Sequence, residues 1–273
     1  MLESTEEYSE TVAPALTVEQ AIANLQHEDV SLRYYAAWWL GRFRVSEPAA
    51  VEALIAALED EDHRTQLGDY PLRRNAARAL GKLGDRRAVP GLIRCLDCSD
   101  FYVREAAAQS LGMLDDSTAV PALIPLLSGG IAAAVQVPGR PHLTQPYEAV
   151  LEALGSLQAT VAATLIQPFI EHPVARVQYA ALRAMYQLTQ DDNYGQRLVQ
   201  ALESSDLKLR RAVLLDLGAI GYLSAADAIA RTSVENSFKL IALKGLLEHQ
   251  LDPAPAHLSD AAIQVMNLMD TVL

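Results

Sequence analysis

The sequence predicts an all-α protein, a right-handed superhelical solenoid of about seven helix pairs. A ten-residue pattern recurs at intervals of about 31 residues, which is the signature of a repeat array. Alanine, leucine, arginine and glutamate abound, and few stretches show the alternation that strands require. The 273 residues exceed a typical single core, whereas a unit of an array packs only on its neighbours.

The repeated pattern places an alanine pair before a leucine and a glycine. Its clear copies are LRYYAAWWLG at 32–41, LRRNAARALG at 72–81, VREAAAQSLG at 103–112 and LRRAVLLDLG at 209–218, and weaker copies end at Gly155, Met185 and Leu246. Small residues let adjacent helices approach closely, and a leucine four residues after the first alanine fills the core one turn on. This pattern is typical of HEAT-like repeats.

Each unit is expected to hold two helices joined by a turn. We expect Gly81 to end the first helix in a left-handed cap, since that conformation costs glycine little. Gly84 and Asp85 then form the turn, and Pro90 lies in the first turn of the second helix, where proline is favoured. The next unit repeats this order over 112–121.

An arginine recurs at one position of the pattern. We expect a structural role for it, an ion pair with an acid of the preceding turn, which Asp29 and Asp100 are placed to provide. The four copies of this arginine are Arg33, Arg73, Arg104 and Arg210.

Two inserted loops interrupt the period, near 60–71 and 128–146. Both follow a second helix and precede the next first helix. Insertions at one joint of a solenoid emerge along one edge, commonly the binding edge. Both loops also carry histidine and arginine, so we favour a binding role over simple drift in loop length.

The ends and the overall charge set further expectations. We expect an acidic tail over 1–16 that a partner orders, the solenoid over 17–250, and a capping or docking helix within 251–273. The acidic start is not a secretory signal and no stretch reaches the roughly 20 apolar residues of a membrane span, so we expect a cytoplasmic protein. A net charge of −12 argues against nucleic acid.

No familiar catalytic or metal-binding motif is present in the sequence. Cys95 and Cys98 form at best half a zinc site, so we expect no bound metal. The most informative feature is an aromatic run in the first unit, Tyr34, Tyr35, Trp38 and Trp39. One pair can fill the core, and the other either meets a partner or a flat ligand, or packs beneath the N-terminal tail.

The inserted loops and their surroundings supply the candidates for polar chemistry. Arg64, Arg74 and Arg140 are suited to binding carboxylates through a bidentate guanidinium. Proton transfer near them is expected of side chains in the loops, although a loop histidine is often merely solvated. These candidates are His63, Asp69, Tyr70 and His142.

Two segments, 34–42 and 69–85, resemble the E subunits of the E/F-type phycobilin lyases, whose fold is built of HEAT-like repeats. The similarity extends over roughly 17–250. The alanine–leucine–glycine pattern alone is common to many HEAT proteins. The aromatic first unit and the run YPLRRN at 70–75 are much more specific.

The resemblance implies a subunit that pairs with a related F-type HEAT subunit. The heterodimer attaches phycocyanobilin to a cysteine of the phycocyanin α chain, by adding that thiol across the ethylidene group of ring A to form a thioether. Members of the family also act in reverse, transfer the bilin or isomerise it. The bilin is the substrate, so no cofactor is expected, and Cys95 and Cys98 need not take part.

The candidate residues fit a bilin, which is flat and carries two propionates and a row of pyrrole nitrogens. The aromatic run offers stacking, the arginines offer partners for propionates, and Asp69 or another loop acid can protonate the tetrapyrrole. Two alternatives remain open: a non-catalytic scaffold or chaperone for phycobiliprotein assembly, and a HEAT adaptor unrelated to bilins. Binding of tetrapyrrole distinguishes them from the lyase.

Overall fold

The computed structural model describes residues 16–62, 64–251 and 258–273, and these ranges contain sixteen α-helices. Seven helix pairs stack in order, so the predicted all-α solenoid is confirmed. The first helices of the pairs form one layer: α2 Val30–Arg42, α4 Pro71–Leu83, α6 Phe101–Leu114, α9 Tyr147–Ser156, α11 Ala175–Thr189, α13 Leu207–Ala219 and α15 Asn236–Glu248. The second layer contains α3 Pro48–Ala57, α5 Val89–Cys95, α7 Val120–Leu123, α10 Ala163–Ile166, α12 Asp192–Ala201, α14 Ala226–Arg231 and α16 Asp260–Thr271.

Two helices lie outside the pairs. Helix α1, Val18–Asn24, packs against α2, and the short α8, Gly130–Ala133, belongs to the second inserted loop. At the other end α16 packs against α14 and α15 and buries Ala262 and Val265. None of the helices in the described ranges is both long and apolar enough to cross a membrane.

Helix starts follow the capping rules that the sequence displays. Asp29, Asp100 and Asp206 accept hydrogen bonds from backbone N–H groups in the first turns of α2, α6 and α13. Proline occupies the first turn of α3, α4 and α5, where its missing N–H costs nothing. Pro125 and Pro168 lie where α7 and α10 tighten into 3-10 turns, so these second helices are short.

The pattern's glycine does not end its helix, which corrects one prediction. Gly41, Gly81 and Gly112 all lie inside first-layer helices, and it is Gly84, with φ of 75°, that caps α4. A Cβ atom added to Gly41 would lie 2.8 Å from the Cα of Ala79 on the next helix. The glycine is therefore required by close packing between neighbouring helices.

The partners predicted for the repeated arginine are also wrong. Asp29 and Asp100 are occupied as helix caps, accepting from the amides of Ser31 at 2.8 Å and Tyr102 at 2.7 Å. The arginines reach instead to the joint after the preceding second helix. Arg33 pairs with Asp60, and Arg104 donates to the Cys98 carbonyl at 2.7 Å. The role is structural as expected, but each arginine fastens a joint between units.

The first inserted loop is a compact turn that ends at the start of α4. The amide of Gly68 donates to the Thr65 carbonyl at 2.9 Å, and the amide of Asp69 donates to Thr65 Oγ1 at 3.0 Å. The amide of Tyr70 donates to Asp100 Oδ2 at 2.7 Å, which attaches the loop's end to α6. His63 lies outside the described residues, as does the predicted acidic tail up to residue 15.

The second inserted loop forms a narrow hairpin-like turn over 135–144. Gln136 and Leu143 make an antiparallel bridge, and Gly139, with φ of 73°, lies at the tip. The base is attached to the solenoid at Ala134, whose carbonyl accepts from the buried His172 Nε2 at 3.3 Å. This attachment sets the direction in which the hairpin leaves the helices.

Candidate functional site

The two inserted loops meet over the start of α6. Arg140 Nη2 of the second loop donates to the Leu67 carbonyl of the first at 3.2 Å, and its Nη1 lies 3.9 Å from Asp69 Oδ1. The His142 ring stacks on Phe101 with centroids 4.1 Å apart and planes 9° from parallel. Loops separated by two whole helix pairs, α4/α5 and α6/α7, thereby form one site.

Between the loops lies a polar cavity of about 340 Å³. Arg64, Arg104 and Arg140 line it together with Asp69 and Asp100. The Arg104 guanidinium donates to backbone carbonyls and to Gln145. Among the described residues, the Arg64 guanidinium makes one hydrogen bond of 3.4 Å, to the Gly68 carbonyl, and lies 5.0 Å from the Tyr70 ring centroid. Three guanidinium groups against two carboxylates make the cavity suited to a carboxylate ligand.

A second cavity, of about 400 Å³, lies on the other side of an aromatic wall. Phe101, Tyr102 and His142 line both cavities. On the far side the wall faces Glu105 and Glu148. Burial raises the pKa of the Glu105 carboxyl, against the opposing effect of the Arg78 guanidinium. The two cavities thus place carboxylate-binding groups and an acid on either side of one aromatic cluster.

The aromatic run of α2 divides between surface and interior. Tyr34, Tyr35 and Trp38 have exposed fractions of 37%, 47% and 43%, and the Tyr35 and Trp38 rings lie 5.5 Å apart. Trp39 is half-buried and packs on Phe43, with ring centroids 4.9 Å apart. Neither of the two predicted pairs fills the core, because three of the four rings are exposed and the fourth is half-buried.

Arg74 lies on α4 between the aromatic helix α2 and the aromatic wall. Its guanidinium carbon is 5.7 Å from the centroid of Tyr102. Its Nε is buried and has no hydrogen-bond partner among the described residues. Its neighbour Asn75 donates to the Tyr34 carbonyl at 3.2 Å, which ties α4 to α2. No carboxylate of the described ranges forms an ion pair with Arg74, so its guanidinium is suited to an anionic ligand.

Tyr70 is packed rather than presented to a ligand. Its side chain is 6% exposed, and its ring lies between the guanidinium groups of Arg64 at 5.0 Å and Arg73 at 4.7 Å. Its hydroxyl donates to Glu61 Oε2 at 3.0 Å, and this hydrogen bond raises the pKa of Tyr70. A catalytic role for Tyr70 stays a prediction.

Comparison with known proteins assigns the fold to a family. Residues 65–136 match the family model for HEAT repeats, and residues 32–60 match the model for the PBS lyase HEAT-like repeat. The phycocyanobilin lyase subunit alpha of Nostoc sp. strain PCC 7120 is 70% identical over 272 residues, covering 99% of both chains. The chain belongs to the phycocyanobilin lyase alpha-subunit family.

Other members and a solved structure agree with this assignment. The phycocyanobilin lyase subunit alpha of Synechocystis sp. strain PCC 6803 is 56% identical over 95% of this chain and 97% of its own. A chain in the structure of the CpcE–CpcF complex of phycocyanin lyase from Nostoc sp. PCC 7120 superposes with a TM-score of 0.92 at 70% identity. That match covers 99% of this chain and all of the other.

In this family member the structure brings together many of the residues singled out from the sequence. Arg64, Asp69, Arg140 and His142 line one cavity, and Arg74 reaches the same aromatic wall through Tyr102. Tyr70 is buried and Trp39 is half-buried, and Tyr34, Tyr35 and Trp38 form an exposed aromatic patch on α2.

Sequence reasoning missed Phe101, Tyr102, Glu105, Glu148 and Arg176. The signal for two of them lay in the repeat itself. Glu105 and Glu148 occupy the position of the pattern that Tyr34 holds in the first unit and Arg74 in the second. Equivalent positions of stacked units lie on the same surface of the array. A candidate binding residue in one unit therefore indicates that the equivalent residues of the neighbouring units also face the site.

Further along the same layer, outside the two cavities, lies a buried charge cluster. Arg183 Nη1 is 2.9 Å from Asp216 Oδ1 and 3.9 Å from Glu152 Oε2, so one guanidinium serves two carboxylates. Burial raises the pKa of both, that of Glu152 to about 7. The cluster joins α9, α11 and α13.

The structure offers no separate nucleophile or metal site in the ranges it describes. Burial raises the pKa of the Cys95 thiol to about 12, so this thiol stays protonated at neutral pH. Cys98 is half-buried, with its sulfur 3.8 Å from Arg73 Nη1. Within the described ranges, no three histidine, cysteine, aspartate or glutamate side chains are grouped to hold a metal ion.

Proposed function

We propose that the chain is the alpha subunit of a heterodimeric phycocyanobilin lyase that acts in the cytoplasm. In this proposal it pairs with an F-type subunit and attaches phycocyanobilin through a thioether to a cysteine of the phycocyanin α chain. The main support is the whole-length likeness, at 70% identity and a TM-score of 0.92, to a chain of the CpcE–CpcF complex. The bilin is the substrate, and the proposal needs no cofactor.

The two cavities and their shared wall suit the bilin. Its rings would stack on Phe101, Tyr102 and His142, and its propionates would meet Arg64 and Arg140 in the polar cavity. Arg74 and the exposed rings of α2 continue this surface beyond the wall. Asp69 stays a candidate for proton transfer because it lines the polar cavity.

The acceptor protein supplies the thiol in this reaction. The raised pKa of Cys95 makes it a poor nucleophile, which supports that division of roles. The lyase then contributes orientation and exclusion of water and oxidants, since a flat conjugated ligand left free in solution reacts with little selectivity.

The decisive experiment mixes this chain with an F-type subunit, phycocyanobilin and apo-phycocyanin α chain. Covalent, correctly coloured product under denaturing conditions is expected only when both subunits are present. Bilin binding without attachment would identify a carrier. Pairing of the two subunits with no bilin binding would favour the non-catalytic scaffold and overturn the proposal.

The propionate contacts are tested with the dimethyl ester of phycocyanobilin. Loss of charge-assisted hydrogen bonds is expected to weaken binding of the ester to the heterodimer by about tenfold or more. A heterodimer with Arg140→Ala should bind the acid and the ester with more similar affinities. Arg94, on α5, forms an exposed ion pair with Glu59, and the Arg94→Ala heterodimer should discriminate acid from ester as the unmodified one does. Equal binding of acid and ester by the unmodified heterodimer would exclude this role for the arginines.

A further inference from the structure

The second cavity contains a carboxyl group with no role in the function as proposed so far. Glu105 lies on α6 one helical turn after Tyr102, so both side chains project from the same face. Its side chain is 29% exposed, and it lines the cavity of about 400 Å³. Within the described ranges its nearest ionic partner, Arg78 Nη2, is 3.7 Å away and no hydrogen bond fixes its oxygens.

Charged groups approach Glu105 from each neighbouring element. Arg74 and Arg78 face it from α4, His142 from the second inserted loop, and Glu148 from α9. Glu148 is itself paired with Arg176, so its charge is partly offset. Burial has the largest effect on the pKa of Glu105 and raises it, with Glu148 acting in the same direction and the cations opposing. The group is therefore protonated at pH values where an exposed glutamate is ionised.

We propose that Glu105 is the acid that donates a proton to a pyrrole nitrogen of the bound tetrapyrrole. The inference rests on the proposed function and assigns proton donation to Glu105 in place of Asp69. A ring stacked on Tyr102 would lie over the turn of α6 that carries Glu105, which brings the carboxyl group within reach of the ring nitrogens. Among the described residues, no hydrogen bond holds the Glu105 carboxyl group and its ion pair with Arg78 is long, at 3.7 Å, which leaves its oxygens available to the ligand.

The addition needs only this one acid, and its protons and electrons balance. Glu105 protonates a ring nitrogen, which withdraws electrons from the conjugated ethylidene group. The acceptor thiol gives its proton to the Glu105 carboxylate, and its sulfur forms a bond to the exocyclic carbon. The π pair of the ethylidene moves into the conjugated system, and the added proton passes from nitrogen to the ring carbon. The net result is addition of S–H across C=C with Glu105 regenerated.

Other carboxyl groups of the layer fit this role less well. Glu148 forms a close ion pair with Arg176, which favours its ionised form. Glu152 and Asp216 share Arg183 and lie outside both cavities of the site. Asp69 lies on the polar side of the aromatic wall, among the arginines that suit the propionates. Of Glu105 and Glu148, which line the cavity on the opposite side of the wall, Glu105 has the longer ion pair, at 3.7 Å from Arg78.

The test uses the complete heterodimer with phycocyanobilin, comparing Glu105→Gln, Glu105→Asp and the matched control Glu152→Gln. Two readouts are needed: the visible spectrum of non-covalently bound bilin as a function of pH, and the attachment rate at saturating bilin and acceptor. Glu105→Gln should lower the pH at which the bound bilin loses its proton and slow attachment by about 100-fold. Glu105→Asp should recover part of the rate, and Glu152→Gln should match the unmodified heterodimer.

The outcomes separate this inference from the proposed function. A Glu105→Gln heterodimer with the unmodified rate and titration overturns the inference and leaves the lyase proposal standing. A rate loss that disappears at higher bilin concentration also overturns it, because Glu105 would then bind rather than donate. If the unmodified heterodimer neither binds nor attaches bilin, the proposed function fails and the inference fails with it. Circular dichroism melting of each variant confirms that it folds.

Discussion

At the scale of single residues, the shared guanidinium of Arg183 shows how packing perturbs acids outside the site. Glu152 and Asp216 project from α9 and α13 toward the same nitrogen, at 3.9 and 2.9 Å. One cation cannot fully compensate two buried carboxylates, so burial prevails and the pKa of each rises. The folded state then holds protons that the unfolded chain has already released.

This cluster predicts a pH-dependent contribution to stability. The pKa of Glu152 rises from an unfolded value of 4.5 to about 7, so its proton-linked stability is present below pH 4.5 and is lost as the pH rises through 7. Glu152→Gln removes the titrating group, so the variant does not lose this stability as the pH rises. The free energy of unfolding of the variant, minus that of the unmodified chain, should increase between pH 5 and pH 8 by about 2 kcal/mol.

Urea denaturation at several pH values measures this difference. The exposed Glu203→Gln serves as the control for loss of one negative charge. A Glu152→Gln curve that runs parallel to that of the unmodified chain from pH 5 to pH 8 would show that Glu152 is ionised throughout, with Arg183 compensating both carboxylates.

For single residues, the sequence predicts which side chains reach the site better than it predicts which side chains are buried. The choice of Arg64, Asp69, Arg140 and His142 followed from their positions in inserted loops, and these four do line one cavity. Burial is different, because it depends on how the first inserted loop folds against the solenoid. Nothing near Tyr70 in sequence indicates that Arg64 and Arg73 enclose its ring and that Glu61 accepts from its hydroxyl.

At the scale of helices, the first layer is held together by glycine-to-small-residue contacts. Gly81 faces Ser110, whose Oγ donates to the Ala77 carbonyl at 2.8 Å across the α4–α6 contact. A Cβ atom at Gly81 would lie 2.5 Å from Ser110 Oγ and 2.9 Å from its Cα. The backbones are therefore too close for any side chain at this position.

Gly81→Ala is consequently expected to destabilise the protein. In an isolated helix the change would gain about 1 kcal/mol from helix propensity, whereas here the overpacked contact should cost about 1–3 kcal/mol net. Thermal or urea denaturation measures the effect. Lys82→Ala, at the next and exposed position of α4, should change stability little. A Gly81→Ala protein as stable as the unmodified chain would mean that the α4–α6 contact relaxes freely.

Helices and loops differ in how far the sequence determines them. The helices were predictable because first-turn prolines and the repeated leucine act within one turn, whereas the capping role of Asp29 and Asp100 was missed. The conformation of the loops depends on contacts between residues far apart in the chain, such as Arg140 with the Leu67 carbonyl 73 residues away. The role of the pattern's glycine was misassigned for the same reason, since its contact lies on another helix.

At the scale of the whole molecule, each unit contacts mainly the units before and after it. Such an array behaves approximately as a one-dimensional chain of coupled elements. A destabilising substitution should therefore have different effects at one end of the array and in its middle. Val265 on α16 and Leu111 on α6 are both fully buried and lie in the last and the third pair.

Alanine substitutions at these two sites should give different hydrogen-exchange patterns. Val265→Ala, costing roughly 2 kcal/mol, should speed amide exchange in α14, α15 and α16 and leave the earlier pairs unchanged. Leu111→Ala, costing about 2–5 kcal/mol, should speed exchange on both sides of α6. Ile263→Ala, at an exposed position of α16, is the control. Uniform acceleration by Val265→Ala would show that the array unfolds as one cooperative unit.

The attachment of the two inserted loops has a consequence for how such proteins diversify. The first loop is attached at its end by the Tyr70 amide on Asp100 and the second at its base by the Ala134 carbonyl on His172, whereas residues 64–67 and 138–139 are exposed. Mutations at these exposed positions can therefore accumulate without disturbing the packing of the helices. Changes confined to two short stretches can thus alter the surface of the cavities while the rest of the chain stays as it is.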